Sequence, residues 1–318
     1  MIEVERLSKR FGPVTAVDGL SFAVGPGRVT GFLGPNGAGK STTMRLILGL
    51  DHPNTGTATI EGKPYRDLVE PLRVVGALLE QRAVHPGRSA SNHLLVLAQT
   101  QGLPRKRVHE VLELVGLRDV AHQRVGGFSL GMGQRLGLAA ALLGDPRVLL
   151  LDEPVNGLDP EGIVWVRNLL KYLAGQGRTV FVSSHLMSEM ALTAEQLIVI
   201  GRGRLIADCA TDEFIARSSQ RSVLVKSPDA ARLAELITAE GGLVKADNSQ
   251  ALTVAGLPAP RIGELAAHAG LVLHELTPQL GSLEEAFMEL TRDSVAYDTR
   301  SGQPAATAIQ ASPAEVDR

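Results

Sequence analysis

Cysteine and net basic charge are both nearly missing from this chain of 318 residues. The only cysteine, Cys209, excludes an internal disulfide and any zinc site built from several cysteines. The formal net charge of −2 offers no basic excess of the kind that holds a nucleic-acid backbone, so we predict no nucleic-acid partner. The low cysteine usage favours a reducing compartment, and we expect the cytosol.

Long apolar runs are missing as well. A membrane-spanning helix needs about 18 or more largely apolar residues, and the longest candidate here, residues 136–143, is far shorter. The first residues carry charges at positions where a signal peptide has an apolar segment. If the protein works at a membrane, we therefore expect a partner to hold it there.

Length and pattern indicate two domains, since 318 residues at roughly 150 per domain give about two. Residues 1–215 alternate short apolar runs with helical patterns, which predicts an α/β domain around a mostly parallel sheet. Within it, residues 89–143 lose the strand character and are predicted to form a helical insertion. Residues 221–297 have the pattern of a small α+β accessory domain. Residues 298–318 lack large apolar side chains, which predicts a disordered tail.

Short apolar or β-branched runs mark the candidate strands. In the first domain these are residues 29–33, 148–151, 180–183 and 197–200. In the accessory domain, residues 271–276 are a further candidate strand. The accessory domain ends in a helix pattern over residues 282–291, where Ser282 and Glu285 resemble a capping box.

A glycine-rich segment between a candidate strand and a candidate helix carries the strongest chemical signal. It matches the phosphate-binding pattern of Gly, four residues, Gly, Lys and Ser or Thr, which a chain of this composition contains by chance in about 1% of cases. Its glycines let the backbone amides point at phosphate oxygens, at the positive end of the following helix. We predict that it binds the phosphates of ATP through Gly34, Pro35, Asn36, Gly37, Ala38, Gly39, Lys40, Ser41 and Thr42.

Within this loop, Lys40 supplies a cation for the β and γ phosphates, and the hydroxyl of Ser41 is a candidate ligand for Mg²⁺. A second motif complements it, because the apolar run over residues 148–151 ends in the acids Asp152 and Glu153. In a phosphate-loop protein, an acid at such a strand end holds the magnesium ion, and we assign that role to Asp152. Glu153 is the candidate general base that polarises the attacking water. A solvated loop carboxylate is the alternative for Glu153.

Three further segments distinguish among the families that share these two motifs. Residues 126–135 resemble the signature segment of ATP-binding cassette (ABC) proteins, residues 156–160 resemble the cassette D-loop, and residues 183–185 resemble the strand end that carries the switch histidine. The order and spacing of all five segments are similar to that family over roughly residues 1–215. By this resemblance the chain is identified as a member with a single ABC ATPase domain.

The resemblance implies roles for the matching residues. Ser129, Leu130 and Gly131 of the signature segment are expected to contact the γ phosphate of ATP held by the other subunit, so that two such domains sandwich two ATP molecules head to tail. The second subunit is expected to be another copy or a paralogous ATPase subunit. Asp159 belongs to the expected D-loop.

Two aromatic side chains also receive roles from the resemblance. His185 is expected to be catalytic beside Glu153, where it hydrogen-bonds the γ phosphate. Phe11 matches the aromatic residue that stacks on adenine, although a lone phenylalanine is more often a core residue.

Two departures from the family pattern stand out. The signature segment of the family usually has Gly and Gln where this chain has Leu130 and Met132. The glutamine of the family's Q-loop, which touches magnesium and faces the membrane partner, corresponds here to Glu80 or Gln81. Either side chain offers an oxygen to the ion, and both alternatives stay open.

The spacing of the motifs narrows the class of machine. Lys40 and Asp152 are 112 positions apart, which leaves no room for the long coiled coil of chromosome-structure ATPases, and one cassette in the chain favours a transporter subunit over a translation factor. Residues 282–291 resemble the closing segment of the daunorubicin and bacitracin resistance type of exporter. We therefore expect an ATPase at the cytoplasmic face of the membrane that drives export of a drug-like or amphipathic compound through a separate integral-membrane permease. The alternatives are a soluble ABC-type switch acting on a cytosolic partner and a nucleotide-binding regulator without turnover.

Overall fold

The computed structural model describes residues 1–79, 84–217, 222–248, 250–279 and 283–291. The strands are β1 (Ile2–Phe11), β2 (Val14–Val24), β3 (Val29–Leu33), β4 (Thr55–Ile60), β5 (Val75–Leu78), β6 (Val148–Asp152), β7 (Thr179–Ser183), β8 (Gln196–Gly201), β9 (Arg204–Ala210), β10 (Ser222–Lys226), β11 (Leu243–Ala246), β12 (Ala251–Ala255) and β13 (Glu275–Gln279). The helices are α1 (Lys40–Ile47), α2 (Pro71–Val74), α3 (Ala90–Thr100), α4 (Arg105–Leu114), α5 (Leu130–Leu142), α6 (Pro160–Gly175), α7 (Met187–Thr193), α8 (Thr211–Arg217), α9 (Ala230–Ala239), α10 (Ala259–His268) and α11 (Leu283–Thr291).

A six-stranded sheet forms the centre of the first part of the chain, in the order β5-β6-β7-β3-β8-β9. The first five strands in this order run parallel to one another, and β9 runs antiparallel to its neighbour β8. All five residues of β3 and of β7 are buried, as expected where a parallel sheet is covered on both faces. The α/β prediction and its four candidate strands are therefore confirmed.

Two hydrophobic clusters cover the two faces of this sheet. One joins the sheet to α1 and to a second, antiparallel sheet of order β2-β1-β4. At its centre, the rings of Phe22, Phe32 and Phe181 lie 4.9 to 5.8 Å apart between centroids. The other cluster joins the opposite face to α3, α4, α5 and α6. The three helices α3, α4 and α5 lie within the range predicted as a helical insertion.

Helix α5 lies very close to strand β5 at one position. A Cβ atom added to Gly76 of β5 would lie 2.0 Å from the backbone oxygen of Ala141, near the end of α5. Since that oxygen belongs to the helix backbone, a side chain at Gly76 forces the helix and the strand apart. Glycine at position 76 therefore allows the end of α5 to lie close to strand β5.

The third sheet is antiparallel and contains β11-β12-β10-β13 in that order. Helices α9 and α10 pack on one of its faces through residues such as Leu233 and Ile262. The element sequence β-α-β-β-α-β with this strand order is the ferredoxin-like arrangement. The pattern of residues 221–297 predicts α+β structure. In the structure, the described residues of this range have the ferredoxin-like arrangement of strands and helices.

The last strand of this sheet begins later than the prediction of residues 271–276. Strand β13 starts at Glu275, because the preceding residues finish α10. Gly270 has a φ of +66° and the amide of Leu271 donates to the carbonyl of Ala266, as in a glycine-terminated helix end. The apolar side chains that suggest a strand, Leu271 and Leu273, pack against the cluster below the helices.

The final helix, α11, packs away from the ferredoxin-like sheet. Its residues Leu283, Ala286 and Phe287 join the large cluster of the first part of the chain, next to α7 and α8. The helix that the sequence places at the end of the accessory domain thus packs on the core of the first part of the chain. Ser282 of the capping box and the tail over residues 298–318 lie outside the described residues.

A Gly76→Ala substitution tests the close approach of β5 and α5. The added Cβ has no space, so we expect the free energy of unfolding to fall by about 1–3 kcal/mol. The matched control is Gly133→Ala within α5, where a Cβ meets nothing within 4 Å and the helix gains up to about 1 kcal/mol. Denaturant unfolding measures both, and equal effects of the two substitutions would contradict the packing described.

Candidate nucleotide site

The phosphate loop lies between the end of β3 and the start of α1, as the motif requires. Gly37 and Gly39 have φ values of +79° and +103°, which favour glycine. A Cβ on Gly39 would lie 2.3 Å from the backbone oxygen of Ala16, and one on Gly34 would lie 2.7 Å from that of Ile200. The neighbouring backbone therefore excludes larger residues at Gly34 and Gly39 by contact.

A cavity of about 310 Å³ opens beside this loop. Most of the residues predicted from the motif line it, together with the two acids after β6 and one residue of β2. They are Ala16, Asn36, Gly37, Ala38, Gly39, Lys40, Ser41, Thr42, Asp152 and Glu153. The structure thus brings the two strongest sequence motifs, which are more than a hundred residues apart, to one place.

Lys40 is the cation of the cavity. Its Nζ donates to the backbone oxygen of Gly34 at 2.6 Å and lies 3.4 Å from that of Pro35. Burial lowers the pKa of Lys40, while the negative charges of Glu153 and Asp152 act in the opposite direction. A poorly hydrated ammonium group facing carboxylates is suited to pair with a further anion such as a phosphate.

Asp152 is the point where three elements meet. The hydroxyl of Ser41, on α1, donates to Asp152 Oδ2 at 2.6 Å, and the hydroxyl of Ser183, at the end of β7, donates to the other carboxylate oxygen. The three side chains converge because β3, β6 and β7 are parallel neighbours whose carboxyl ends lie at the same edge of the sheet.

The chemistry of these groups fits a magnesium ion. Hydroxyl and carboxylate oxygens are the hard ligands that Mg²⁺ takes, and it commonly keeps one or two carboxylates with phosphate oxygens and water completing the shell. Within the described residues, no cluster of three or more His, Cys, Asp or Glu side chains is placed to hold a metal. The hydroxyl of Ser41 and the carboxylate of Asp152 offer oxygen ligands of the kind that fit this ion.

Glu153 follows β6 with a φ of +52°, in the left-handed region that is uncommon for residues other than glycine. Its carboxylate lies 2.8 Å from Nδ1 of His185, and the backbone amide of His185 also donates to it at 3.3 Å. The side chain of Glu153 is 20% exposed and that of His185 is 53% exposed. The acid and the histidine predicted to act together are therefore in contact, and Glu153 also lines the cavity.

The backbone of Glu153 is held by residues that the sequence analysis left without a role. Its amide donates to the backbone oxygen of Ser183 at 3.2 Å and to the Ser183 hydroxyl at 3.1 Å. Its carbonyl oxygen accepts a hydrogen bond from Nε2 of Gln134 at 3.0 Å. Gln134 is fully buried and lies in the signature segment. A polar residue on an otherwise apolar helix face is the signal in the sequence that could have identified Gln134.

The signature segment forms the start of α5 and lies outside the residues that line the cavity. Ser129 caps the helix, since its hydroxyl accepts from the amide of Met132 at 3.2 Å. The side chain of Leu130 packs on Gly157 of the expected D-loop, where an added Cβ would lie 2.3 Å from it. A Cβ on Gly131 would lie 3.1 Å from the carbonyl of Gly157. The departure to Leu130 is therefore accommodated by a glycine in the neighbouring segment.

The remaining predicted residues lie around this centre. Asp159 caps α6 by accepting from the amide of Gly162 at 3.0 Å. Phe11 is half exposed at the turn between β1 and β2, with Nζ of Lys9 5.0 Å from its ring centroid. Its role toward adenine stays a prediction. Glu80 and Gln81, the alternatives for the Q-loop residue, lie outside the described residues.

Comparison with family models gives two matches. Residues 17–156 match the model described as ABC transporter, and residues 221–284 match a Domain of unknown function (DUF8746). The first match spans the phosphate loop, the signature segment and the acids after β6. The second covers most of the ferredoxin-like sheet.

Curated relatives extend the likeness to most of the chain. An uncharacterized ABC transporter ATP-binding protein of Bacillus subtilis is 36% identical over 298 residues, which is 92% of this chain and 97% of that protein. The bacitracin transport ATP-binding protein of Bacillus licheniformis is 41% identical over 69% of this chain and 72% of its own length. The Nod factor export ATP-binding protein I of Burkholderia lata is 35% identical over 91% of this chain and 96% of its own length.

Solved structures show the same fold. The ATP-binding subunit of an ABC transporter superposes with a TM-score of 0.63 at 26% identity, over 68% of this chain and 92% of that one. A dimeric bacterial ABC transporter cassette superposes with a TM-score of 0.61 at 25% identity, over 66% of this chain and 99% of that one. With the phosphate loop, the acids after β6 and the length of the match to curated relatives, these findings show that the chain belongs to the ATP-binding proteins of ABC transporters.

Proposed function

We propose that this chain hydrolyses ATP to drive export through a separate membrane permease. The observation that carries the hydrolytic part is the pairing of Glu153 with His185 at 2.8 Å, beside the Ser41 and Asp152 pair at 2.6 Å. An acid held by a histidine lies next to a phosphate loop and to oxygen ligands for a cation. That combination suits attack of water on a terminal phosphate better than nucleotide binding alone.

The chain's own residues supply positioning and proton transfer. The loop amides and Lys40 hold the phosphates, and Ser41 and Asp152 hold the Mg²⁺ ion, which when bound neutralises developing phosphate charge. The Glu153 carboxylate accepts a proton from the attacking water. His185 orients that carboxylate through its ring nitrogen and its backbone amide, and its ring stays partly exposed, which would leave it available to a γ phosphate.

The site is completed by a second subunit in this proposal. Ser129, Leu130 and Gly131 lie outside the cavity lining of their own chain and sit at the start of a helix, where amides and a hydroxyl suit a phosphate. A relative of the same fold is a dimeric cassette. We therefore infer a head-to-tail dimer, of two copies or with a paralogous ATPase subunit, in which each signature segment faces the other subunit's ATP.

A second cavity of about 420 Å³ lies away from the nucleotide and supports the permease partner. It runs between the end of α1, strand β5 and the helices α3 and α5, and it is lined by Arg45, Leu48, Leu50, Tyr65, Ala77, Leu78, Leu79, Val84, His93, Leu97, Gly133, Gly137 and Ala140. An apolar lining of this kind suits a short helix with an apolar face. We assign it to a cytoplasmic segment of the permease.

His93 gives this groove a polar contact. Burial and the neighbouring charge of Arg88 lower the pKa of His93, so the ring is neutral at pH 7. Its Nδ1 atom is buried and, within the described part of the chain, has no hydrogen-bond partner. As a neutral ring, His93 adds a polar but uncharged side chain to the lining of the groove.

The names of the curated relatives favour a transport function over the alternative of a soluble switch. Two of those compared are named for bacitracin transport and for Nod factor export. In the described ranges of this chain, no helix has the length and apolar character to cross a bilayer. We infer that the protein is held at the cytoplasmic face of the membrane by its permease, and that the exported compound is drug-like or amphipathic.

Glu153→Gln tests the hydrolytic assignment. The amide cannot accept a proton at neutral pH, so we expect phosphate release to fall by a factor of about 10² or more while ATP binding stays within a few-fold of the wild type. Release of phosphate from ATP and Mg²⁺ and equilibrium ATP binding are the two measurements. Glu235→Gln, at an exposed position of α9, is the matched control. Wild-type turnover in the Glu153→Gln protein would remove this residue from the mechanism.

Ser129→Arg tests the composite site. In the Glu153→Gln background, ATP and Mg²⁺ should give a dimer on gel filtration, and adding Ser129→Arg should return the protein to a monomer that still binds ATP. The cap is lost too, at a cost of about 1 kcal/mol, so thermal unfolding is followed in parallel. Thr100→Arg, on an exposed end of α3, carries the same charge away from the signature segment and should leave the dimer intact. A dimer that tolerates Ser129→Arg would contradict the sandwich.

Leu97→Glu tests the groove. A carboxylate among its apolar side chains should reduce recovery of a multi-spanning membrane protein with the tagged chain, measured by mass spectrometry of solubilised membranes. Leu114→Glu is the control, because Leu114 is already 45% exposed on α4 and does not line the groove. Circular dichroism verifies that both variants fold. Equal recovery with the two variants would argue that the permease docks elsewhere.

A further inference from the structure

Gln134 contrasts with its surroundings in α5. Its side chain is fully buried, with no exposed surface, on a helix that otherwise buries leucine and alanine. Its Oε1 atom is buried and has no hydrogen-bond partner among the residues that the structure describes. Buried polar groups are normally satisfied, and an exception commonly reflects a function that offsets its cost.

Among the described residues, Gln134 makes one side-chain hydrogen bond, and that bond points to the function. Its Nε2 donates to the carbonyl oxygen of Glu153 at 3.0 Å. The same carbonyl also accepts from the amide of Asn156 at 3.2 Å, which closes the turn after β6. The carbonyl therefore has a partner without Gln134. The additional contribution of Gln134 is a hydrogen bond that connects this turn to helix α5.

The tie matters because Glu153 adopts a conformation that it would not select by itself. Its φ of +52° is in the left-handed region, which surrounding contacts must impose on a residue with a side chain. Ser183 holds the amide side of Glu153 from strand β7, and Gln134 holds the carbonyl side from α5. With both peptide groups fixed, the Cα–Cβ bond is aimed so that the carboxylate meets His185.

We propose that Gln134 is the positioning residue for Glu153, which ties the catalytic turn to the helix that carries the signature segment. The proposal rests on the proposed hydrolytic role of Glu153. It links the start of α5 to the catalytic turn: Ser129 caps the helix, and five residues later Gln134 reaches the backbone of the base. A shift of α5 against the core thereby changes the aim of the carboxylate in the same chain.

Gln134→Met separates positioning from structure. Methionine has a similar length but no donor, and it removes the unpartnered buried oxygen while leaving the Glu153 carbonyl bonded to Asn156. The thermal midpoint should therefore be unchanged or higher, whereas kcat for ATP hydrolysis should fall about tenfold or more, with the KM for ATP within about twofold. Gln99→Met, at an exposed position of α3, is the matched control and should change neither.

A double-mutant cycle with Glu153→Gln locates the effect. If Gln134 acts by aiming the carboxylate, Gln134→Met should slow the residual hydrolysis of the Glu153→Gln protein no further, and the ATP-dependent dimer of that protein should still form. Additive losses, loss of the dimer, or a kcat within twofold of wild type in the single variant would each overturn the proposal. So would a fall in thermal midpoint that parallels the fall in kcat.

The same set of proteins reports separately on the base assignment. Glu153→Gln with wild-type turnover would refute the proposed function, and the positioning role would fall with it. An inactive Glu153→Gln protein beside a fully active Gln134→Met protein would refute only the positioning role.

Discussion

The carboxylate of Asp152 is the interaction on which the site depends. It accepts hydrogen bonds from Ser41 on α1 and Ser183 after β7, and it faces the ammonium of Lys40 across the cavity. A partly buried carboxylate is stabilised where hydrogen-bond donors and an opposite charge lie around it. The parallel order of β6, β7 and β3 provides that surrounding, since it brings the ends of three strands to one edge. The groups that stabilise Asp152 also suit the proposed ligands. Ser41 and Asp152 offer oxygen atoms to a metal ion, and Lys40 offers a positive charge to a phosphate.

The residues that the sequence could predict are those whose geometry is set locally. The phosphate loop is a run of adjacent residues whose spacing fixes its own curvature, and Asp152 and Glu153 follow a strand that is recognisable by its apolar run. Gln134 and Ser183 could not be assigned roles in this way, because their contacts with Glu153 bridge 19 and 30 positions of sequence. The contact of Leu130 with Gly157 likewise requires α5 and the turn after β6 to be packed side by side. For α11, the apolar pattern gives the helix but does not specify which of two available cores it joins.

Glu153 shows why a functional residue can conflict with local preference. A left-handed backbone at a glutamate costs free energy, and the fold retains it through hydrogen bonds to both of its peptide groups. The contact of this carboxylate with His185, beside the phosphate loop, supports a catalytic glutamate over a solvated loop carboxylate.

Helix α5 connects the parts of the molecule that the proposed function needs. Its first residues are the signature segment, its Gln134 reaches the backbone of Glu153, and its small residues Gly133, Gly137 and Ala140 line the groove assigned to the permease. Its far end lies against β5 so closely that only glycine fits at position 76. Because a helix moves nearly as a rigid body, a displacement of α5 at one of these contacts also displaces its residues at the other contacts. In the proposed function, docking in the groove, engagement of a second subunit and the aim of the base would therefore be coupled through this one helix.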